Sequence, residues 1–302
     1  MKIYDCFPFC NEYELLELRL ELLNEVVDKF VIVESKYTQR GEIKGYNFSM
    51  DDARFKKYKD KIILIKCDED VPVKEFQNDQ SKGFWINEFH QRNAIIKGLI
   101  NCNYDDIIVI SDVDEIPNPD ILSNLDKKMN FKFEHDDWKF KSKIRAWFYI
   151  LFKNTKFLTK KDCSILDFIK YSPVVLEQDF YNYFMNWERK EKWYGSIITQ
   201  FGKMSIPQEL RDYRCAWPCL HNGGWHFSYM GGAKKILAKF KSIADIKPYI
   251  PSLEEIEEKL NSGISIFDSN YKFKVCTIEK FNSKIISNFI KKHPEMYKEI
   301  KI

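Results

Sequence analysis

The stretch that most narrows what this chain can fold into is Asp105 to Pro117, reading Asp-Asp-Ile-Ile-Val-Ile-Ser-Asp-Val-Asp-Glu-Ile-Pro. Ile107 to Ile110 is an unbroken β-branched run bounded by polar residues. Such a run reads as a strand buried on both faces, the habit of parallel sheets covered by helices. Asp112, Asp114 and Glu115 follow at once, and Pro117 and Pro119 oppose further ladder pairing and suit entry into a helix. Carboxylates just past the C-terminal end of a buried strand sit where open α/β sheets bind ligands. Two Asp with one residue between them can aim at one cation if the chain turns there. Hard oxygen ligands suit Mg²⁺ or Mn²⁺ beside ligand phosphates. Asp also favours turns, so the spacing alone equally describes a solvated loop; the place after the strand favours a metal–phosphate site.

The rest of the N-terminal part repeats the alternation. Lys2 to Phe7, Phe30 to Val33 and Ile62 to Ile65 read as strands, and Glu34 ends the second. Between the first two, Asn11 is placed to cap a helix with Glu14 as its reciprocal partner, and Leu15, Leu18, Leu22 and Val26 recur at helical spacing. A second helix is expected from Ser81 to about Ile100, with Trp85, Phe89, Ile96 and Ile100 on its packed face. Strand–helix alternation implies right-handed crossovers and a parallel sheet. Neither a Gly-x-Gly-x-x-Gly nor a Gly-Lys-Ser phosphate loop is present. A bound nucleotide would need its phosphates neutralised another way, and a cation on Asp112 and Asp114 is the available one.

The expected architecture is one α/β catalytic domain over 1–302, Rossmann-like, with a mostly parallel central sheet flanked by helices. Residues 1–117 read as a nucleotide-binding half and 118–240 as a second half of the same unit. A helical tail covers 241–302, with helices at Ala233 to Phe240, Leu253 to Leu260 and Asn282 to Lys292. At 302 residues, 44% hydrophobic and 16% aromatic, the chain can bury a sizeable core. A net charge of +3 from 48 basic and 45 acidic residues does not suit a dedicated nucleic-acid binder. The basic C-terminal helices read as solvated faces, compatible with peripheral contact to anionic membranes. No transmembrane run and no signal-peptide pattern is found, and the eight scattered cysteines read as free thiols; together these give a cytoplasmic expectation.

Aromatic residues beside polar ones are what sugar sites use, since a flat ring covers the apolar face of a pyranose. Tyr181, Tyr183, Trp187, Trp193, Trp217 and Trp225 are the candidates, against the alternative that they are core. Gly223-Gly224 suggests close backbone approach, and His226, beyond it, could complete coordination begun by Asp114.

These residues carry a resemblance. The chain resembles glycosyltransferase family 17 at Tyr4-Asp5-Cys6-Phe7, Asn11-Glu12, Leu15 to Arg19, Val27 to Ser35, Thr38, Arg92-Asn93-Ala94 and Asp105 to Pro117. Phe180-Tyr181-Asn182, Trp187, Trp193, Gly195, Arg211 and Gly223 to Tyr229 extend it, over roughly residues 2–240. The resemblance implies a GT-A fold and an inverting transfer from a UDP-sugar, N-acetylglucosamine first, to a glycan hydroxyl. Asp112 and Asp114 would hold Mn²⁺ or Mg²⁺, with His226 as a third ligand. The segment 131–171 is longer than the family pattern there, and a bacterial or viral glycan suits the chain better than an animal one.

Within that reading Phe7, Glu34, Arg92 and Asp112 face the donor. Glu34 is placed to bind ribose or base. Arg92 is placed either for the diphosphate or for a structural pair with Asp112 or Glu115. Tyr181, Trp187, Trp193 and Trp225 face the sugar or acceptor. Inversion needs one carboxylate to take the acceptor's proton, Glu177 first, with Asp179, Glu188 and Asp212 as alternatives. Competing classes are a metal-dependent phosphoesterase or pyrophosphatase and a non-catalytic carbohydrate-binding protein.

Overall fold

The apolar runs of the N-terminal half become strands β1 (Ile3–Phe9), β2 (Lys29–Ser35), β3 (Ile62–Cys67) and β4 (Ile107–Ile110). All are parallel neighbours, in the order β4-β1-β2-β3. The computed structural model describes residues 1–68, 80–131, 162–245 and 249–298. Helix α1 (Tyr13–Leu23) connects β1 to β2, and α2 (Gln80–Asn93), continued by a 3₁₀ segment at Ala94–Leu99, leads into β4.

The chain then builds β5 (Glu115–Pro117), β6 (Lys128–Asn130), β7 (Asp162–Ser164), β8 (Val174–Asn182), β9 (Trp187–Glu188) and β10 (Trp193–Gln200). The last strands are β11 (Cys219–Leu220), β12 (Gly224–Ser228) and β13 (Lys274–Val275). β10 joins β4 antiparallel and extends the sheet to β8, giving the order β13-β9-β8-β10-β4-β1-β2-β3. β12 runs parallel to β8 and antiparallel to β5, so it ties the turn after β4 to the second half. The expected mixed α/β fold with a parallel N-terminal half stands. The C-terminal helices lie at Ala233–Ser242, Leu253–Asn261 and Lys284–Lys292.

Both faces of the sheet are covered. On one, α1 buries Leu15, Leu16, Leu18, Leu20, Leu22 and Leu23 against Ile32, Val109 and the Lys284–Lys292 helix. Each such side chain is worth roughly 1.5–3 kcal/mol. On the other, Ala94, Ile95 and Leu99 pack on Val31, Val33, Ile108 and Ile110. A further cluster around Tyr183, Trp187 and Phe273 seats the helices at Ala233–Ser242 and Leu253–Asn261.

Two local expectations fail. Asn11 does not cap α1: it sits in the left-handed region at φ 70 and accepts from Asn47, while Glu12 occupies the cap position without a side-chain cap bond. On α2 the packed face is not Trp85, Phe89, Ile96 and Ile100. Trp85, Ile96 and Ile100 are exposed, and the buried positions are Phe84, Asn87, Gln91, Arg92, Ile95 and Leu99. Of the segment 131–171, residues 132–161 lie outside the described residues. The rest supplies β7 and a short helix, Ile165–Ile169. All eight cysteines are free thiols. Among the described residues, no helix is long and apolar enough to cross a membrane.

Candidate active site at the tip of β4

β4 ends where Ser111 donates its N–H to the Cys6 carbonyl, and the chain turns through Asp112 to Asp114 before β5 pairs with β12. The turn is closed by Glu115 N–H to the Asp112 carbonyl at 3.0 Å and Asp112 N–H to Glu115 Oε2 at 2.8 Å. Beneath it lies the fully buried Arg19. Its guanidinium forks onto Asp5 at 2.6 and 2.7 Å and donates to the carbonyls of Asp112 (2.8 Å), Glu115 (3.0 Å) and Val113 (3.3 Å). A buried carbonyl without a donor is costly, so one arginine makes this irregular backbone affordable.

The carboxylates of the turn face a wall of cations. Asp112 receives Arg92 Nη2 on Oδ1 at 2.8 Å and Arg211 Nη2 on Oδ2 at 2.9 Å. Glu115 receives Arg211 at 2.8 Å on each oxygen and Trp193 Nε1 at 2.6 Å. Asp114 receives Lys239 Nζ at 2.6 Å, with His226 Nε2 at 3.6 Å. Burial alone would push the Asp112 and Asp114 pKa values up. The guanidiniums of Arg92 and Arg211, and for Asp114 the Lys239 ammonium and His226, outweigh it and hold both well below the usual carboxylate range. Burial would likewise lower Lys239, and Asp114 and Glu12 hold it above its ordinary value. Glu12 goes the other way: burial pushes its pKa up to about 7 against the pull of Lys239.

These groups line a cleft of about 850 Å³ over the ends of β1, β4, β8 and β12. Pro8, Phe9, Gln39, Trp85 and Phe89 border it together with Asp112, Asp114, Arg92, Arg211, Lys239 and Glu12. Phe180, Trp193 and His226 also border it as a ring triad, with centroids 4.5 to 5.4 Å apart. Gly195 is required here, because a Cβ would overlap Glu115 Oε1 and Trp193 Nε1. Gly224, at φ +124, passes so close to the Ile116 carbonyl that no side chain fits, the close approach expected at that pair.

Several residues expected at the site lie elsewhere. Phe7 is fully buried under the Arg19 guanidinium, 4.2 Å from its ring centre. Glu34 is fully buried, pairs with Lys44 at 3.1 Å and accepts the N–H groups of Asn47 and Phe48, so it anchors that loop. Tyr181 and Trp187 are fully buried, packed on Phe227 and Phe281 and on Tyr183, Phe184 and Phe273 respectively. Trp225 points to the opposite side of β12 from His226, towards Phe281. Glu177 is outside the cleft lining, bound to His221 Nδ1 (2.8 Å) and Tyr194 Oη (3.1 Å). Asp179 is paired with Lys192, and Glu188 with Lys280 and Cys276. Asp212 does line the cleft and accepts from Gln208 at 2.9 Å. Of Arg92's two expected roles, the geometry contains the ion pair with Asp112, at 2.8 Å.

Among the described residues, no group of three His, Cys, Asp or Glu side chains is gathered to hold a metal by itself. Mg²⁺ and Mn²⁺ are usually held by one or two carboxylates plus substrate phosphates and water, and Asp112 and Asp114 are the pair on this wall that could serve. His226 Nδ1 is buried with no hydrogen-bond partner, an unused donor or acceptor beside Asp114. Arg19, Arg211, Lys239 and Glu12 receive no role from sequence pattern, because their partners lie far along the chain.

Comparison with known proteins adds three findings. A beta-1,4-mannosyl-glycoprotein 4-beta-N-acetylglucosaminyltransferase of Rattus norvegicus is 25% identical over 239 residues, covering 75% of this chain and 42% of its own length. The Homo sapiens protein of that name is 25% identical over 230 residues, covering 72% and 40%. The chain thus spans about two fifths of the length of these relatives. A solved 2-C-methyl-D-erythritol 4-phosphate cytidylyltransferase of Francisella tularensis covers 67% of this chain and 74% of its own at 11% identity, with a TM-score of 0.28, too low to bear on the fold. Residues 1–135, which carry β1 to β5 and the Asp112–Glu115 turn, match the family model of glycosyltransferase family 17.

Proposed function

We propose that the protein is an inverting glycosyltransferase that moves a sugar, N-acetylglucosamine first, from a UDP-sugar to a glycan hydroxyl with Mn²⁺ or Mg²⁺. The observation that carries the reading is the cleft at the tip of β4, with Asp112 and Asp114 on one turn of its wall. The family match over residues 1–135 and the names of the relatives support the reaction class.

Asp112 and Asp114 would hold the metal, which when bound stabilises charge developing on the departing diphosphate. The chain's residues do the rest. Arg92 and Arg211 fix the Asp112 carboxylate from both oxygens, so it is held in one orientation before any ligand arrives. Arg19 fixes the turn from below. Lys239 has to leave Asp114 Oδ2 as the donor enters, and its ammonium is then available to a phosphate oxygen. Of the four candidate bases, Asp212 lines the cleft and takes the role of proton acceptor. The ring triad of Phe180, Trp193 and His226 forms the apolar wall for the transferred sugar.

The test is UDP release from UDP-sugars with Mn²⁺ and a panel of acceptors, alongside calorimetry with UDP. Expected are metal-dependent UDP binding and a loss of turnover of about a hundredfold or more in Asp114→Asn. Full turnover in that variant, or UDP binding indifferent to metal, refutes the reading. Release of phosphate from simple esters would instead favour a hydrolase, and sugar binding without nucleotide a lectin.

A further inference from the structure

We propose that Arg214 is the seat of a phosphate group of the donor's diphosphate, the second cationic partner of that group beside the metal. This deepens the transferase reading and rests on it for the identity of the anion.

The argument begins with charge pairing in the cleft. Arg92, Arg189, Arg211 and Lys239 each have a carboxylate partner. Arg214 lines the same cleft, and among the described residues it has none. Among the described residues its one hydrogen bond runs from Nη1 to the Arg211 carbonyl at 3.1 Å, and its guanidinium stands 5.9 Å over the Trp193 ring. Burial lowers its pKa, and Arg211 and Arg92 lower it further, against the weaker pull of Cys215 and Glu115. A half-buried cation crowded by other cations is a cost to the folded chain unless an anion joins it. Its place names the anion. Arg211, whose carbonyl it holds, grips Asp112 at 2.9 Å, so Arg214 stands one residue from the turn that would carry the metal. A divalent cation balances the two charges of a sugar nucleotide's diphosphate, and the departing UDP gains a further negative charge as the bond to the sugar breaks, which a second cation can meet. A guanidinium with Nε and Nη2 uncommitted can take two phosphate oxygens at once, which an ammonium cannot. Arg92 Nε, buried without a partner, marks the same wall as short of acceptors.

The experiment measures binding of UDP, and separately of inorganic pyrophosphate, by calorimetry with Mg²⁺ present. Wild type is compared with Arg214→Ala and Arg214→Lys, and each protein is also melted with and without UDP. In Arg214→Ala the expected result is a Kd for both ligands raised about tenfold to a hundredfold. Arg214→Lys should recover part of that loss. The ligand-free melting temperature should be unchanged or higher, because an unpaired cation has been removed; a structural arginine would lower it. Unchanged Kd values in Arg214→Ala overturn the proposal while leaving the transferase reading standing. A wild type that binds pyrophosphate through Arg214 but not UDP upholds the seat and sinks the nucleotide-sugar reading. A wild type that binds neither overturns both.

Discussion

Replacing Arg19 by Met tests whether the Asp112–Glu115 turn depends on a buried brace. Arg19 and Asp5 are both fully buried, and their two bonds measure 2.6 and 2.7 Å. Removing one partner of such a pair costs about 3–5 kcal/mol, because it strands the other charge. The carbonyls of Asp112 and Glu115 also lose donors at 2.8 and 3.0 Å. At about 1 kcal/mol each the total is about 5–7 kcal/mol, a large part of the ~5–15 kcal/mol that holds a domain folded. With a urea slope of about 3 kcal/mol/M, the unfolding midpoint should fall by roughly 2 M. The partner variant separates charge from bracing. Asp5→Leu combined with Arg19→Met removes both charges and should regain most of the ion-pair loss, yet leave the carbonyls unserved. The double variant should therefore unfold later than Arg19→Met, and should still bind UDP with metal more weakly than wild type. A midpoint shift below about 0.5 M in Arg19→Met, or a double variant no more stable than the single, would refute the reasoning.

Three further outcomes follow from the site. The Glu12 carboxyl, ordinarily near 4.5, is raised to about 7 in the folded chain, so between those values the folded state holds a proton that the unfolded state has lost. Its contribution to stability is whole below about pH 4.5 and is lost as pH rises through 7. The stability advantage of Glu12→Gln over wild type, read from urea midpoints, should thus grow between pH 5 and pH 8; a flat difference contradicts the shift. Gly195→Ala drives a methyl into Glu115 and Trp193, and should cost about 1–3 kcal/mol by melting while weakening UDP binding. Trp187→Ala should cost about 3–5 kcal/mol of stability, whereas Trp193→Phe should change stability by about 1 kcal/mol and mainly reduce turnover. A stable Trp187→Ala that lost only acceptor binding would restore its place at the sugar.

Sheet and helices were legible in the sequence because their signal is local. Ile107–Ile110 cannot rest anywhere but between two covered faces, and the Leu density of α1 marks a helix buried on most sides, between the sheet and the Lys284–Lys292 helix. The brace and the clamps were not legible, for a reason of distance. Arg211 meets Glu115 across 96 residues, and Lys239 meets Asp114 across 125. No periodicity encodes such a pair. The face of α2 misled because the helix borders the cleft: Trp85 and Phe89 look like core on a helical wheel, yet both line the opening.

The misplaced aromatics and bases have a stricter cause, one that a strand's geometry imposes. Successive side chains of a strand point to opposite faces. On β12 His226 and Ser228 line the cleft, so Trp225 and Phe227 must face the core, and both pack towards Phe281. On β8 Phe180 and Asn182 line the cleft, so Glu177, Asp179 and Tyr181 face away. Within the body of a strand, a residue whose side chain enters a site turns its immediate neighbours to the other face; only at a strand's tip, as at Pro8 and Phe9 of β1, do consecutive residues border the cleft. A reading that places His226 beside Asp114 has already removed Trp225, and one that places Phe180 there has removed Asp179 and Tyr181. Asp212 escapes the rule because it ends a short helix, Pro207–Asp212, that stands at the rim. The proton acceptor is therefore to be sought on loops and helix ends around the cleft. An Asp212→Asn variant that binds UDP normally but transfers at less than about a hundredth of the wild-type rate is the outcome this parity argument requires.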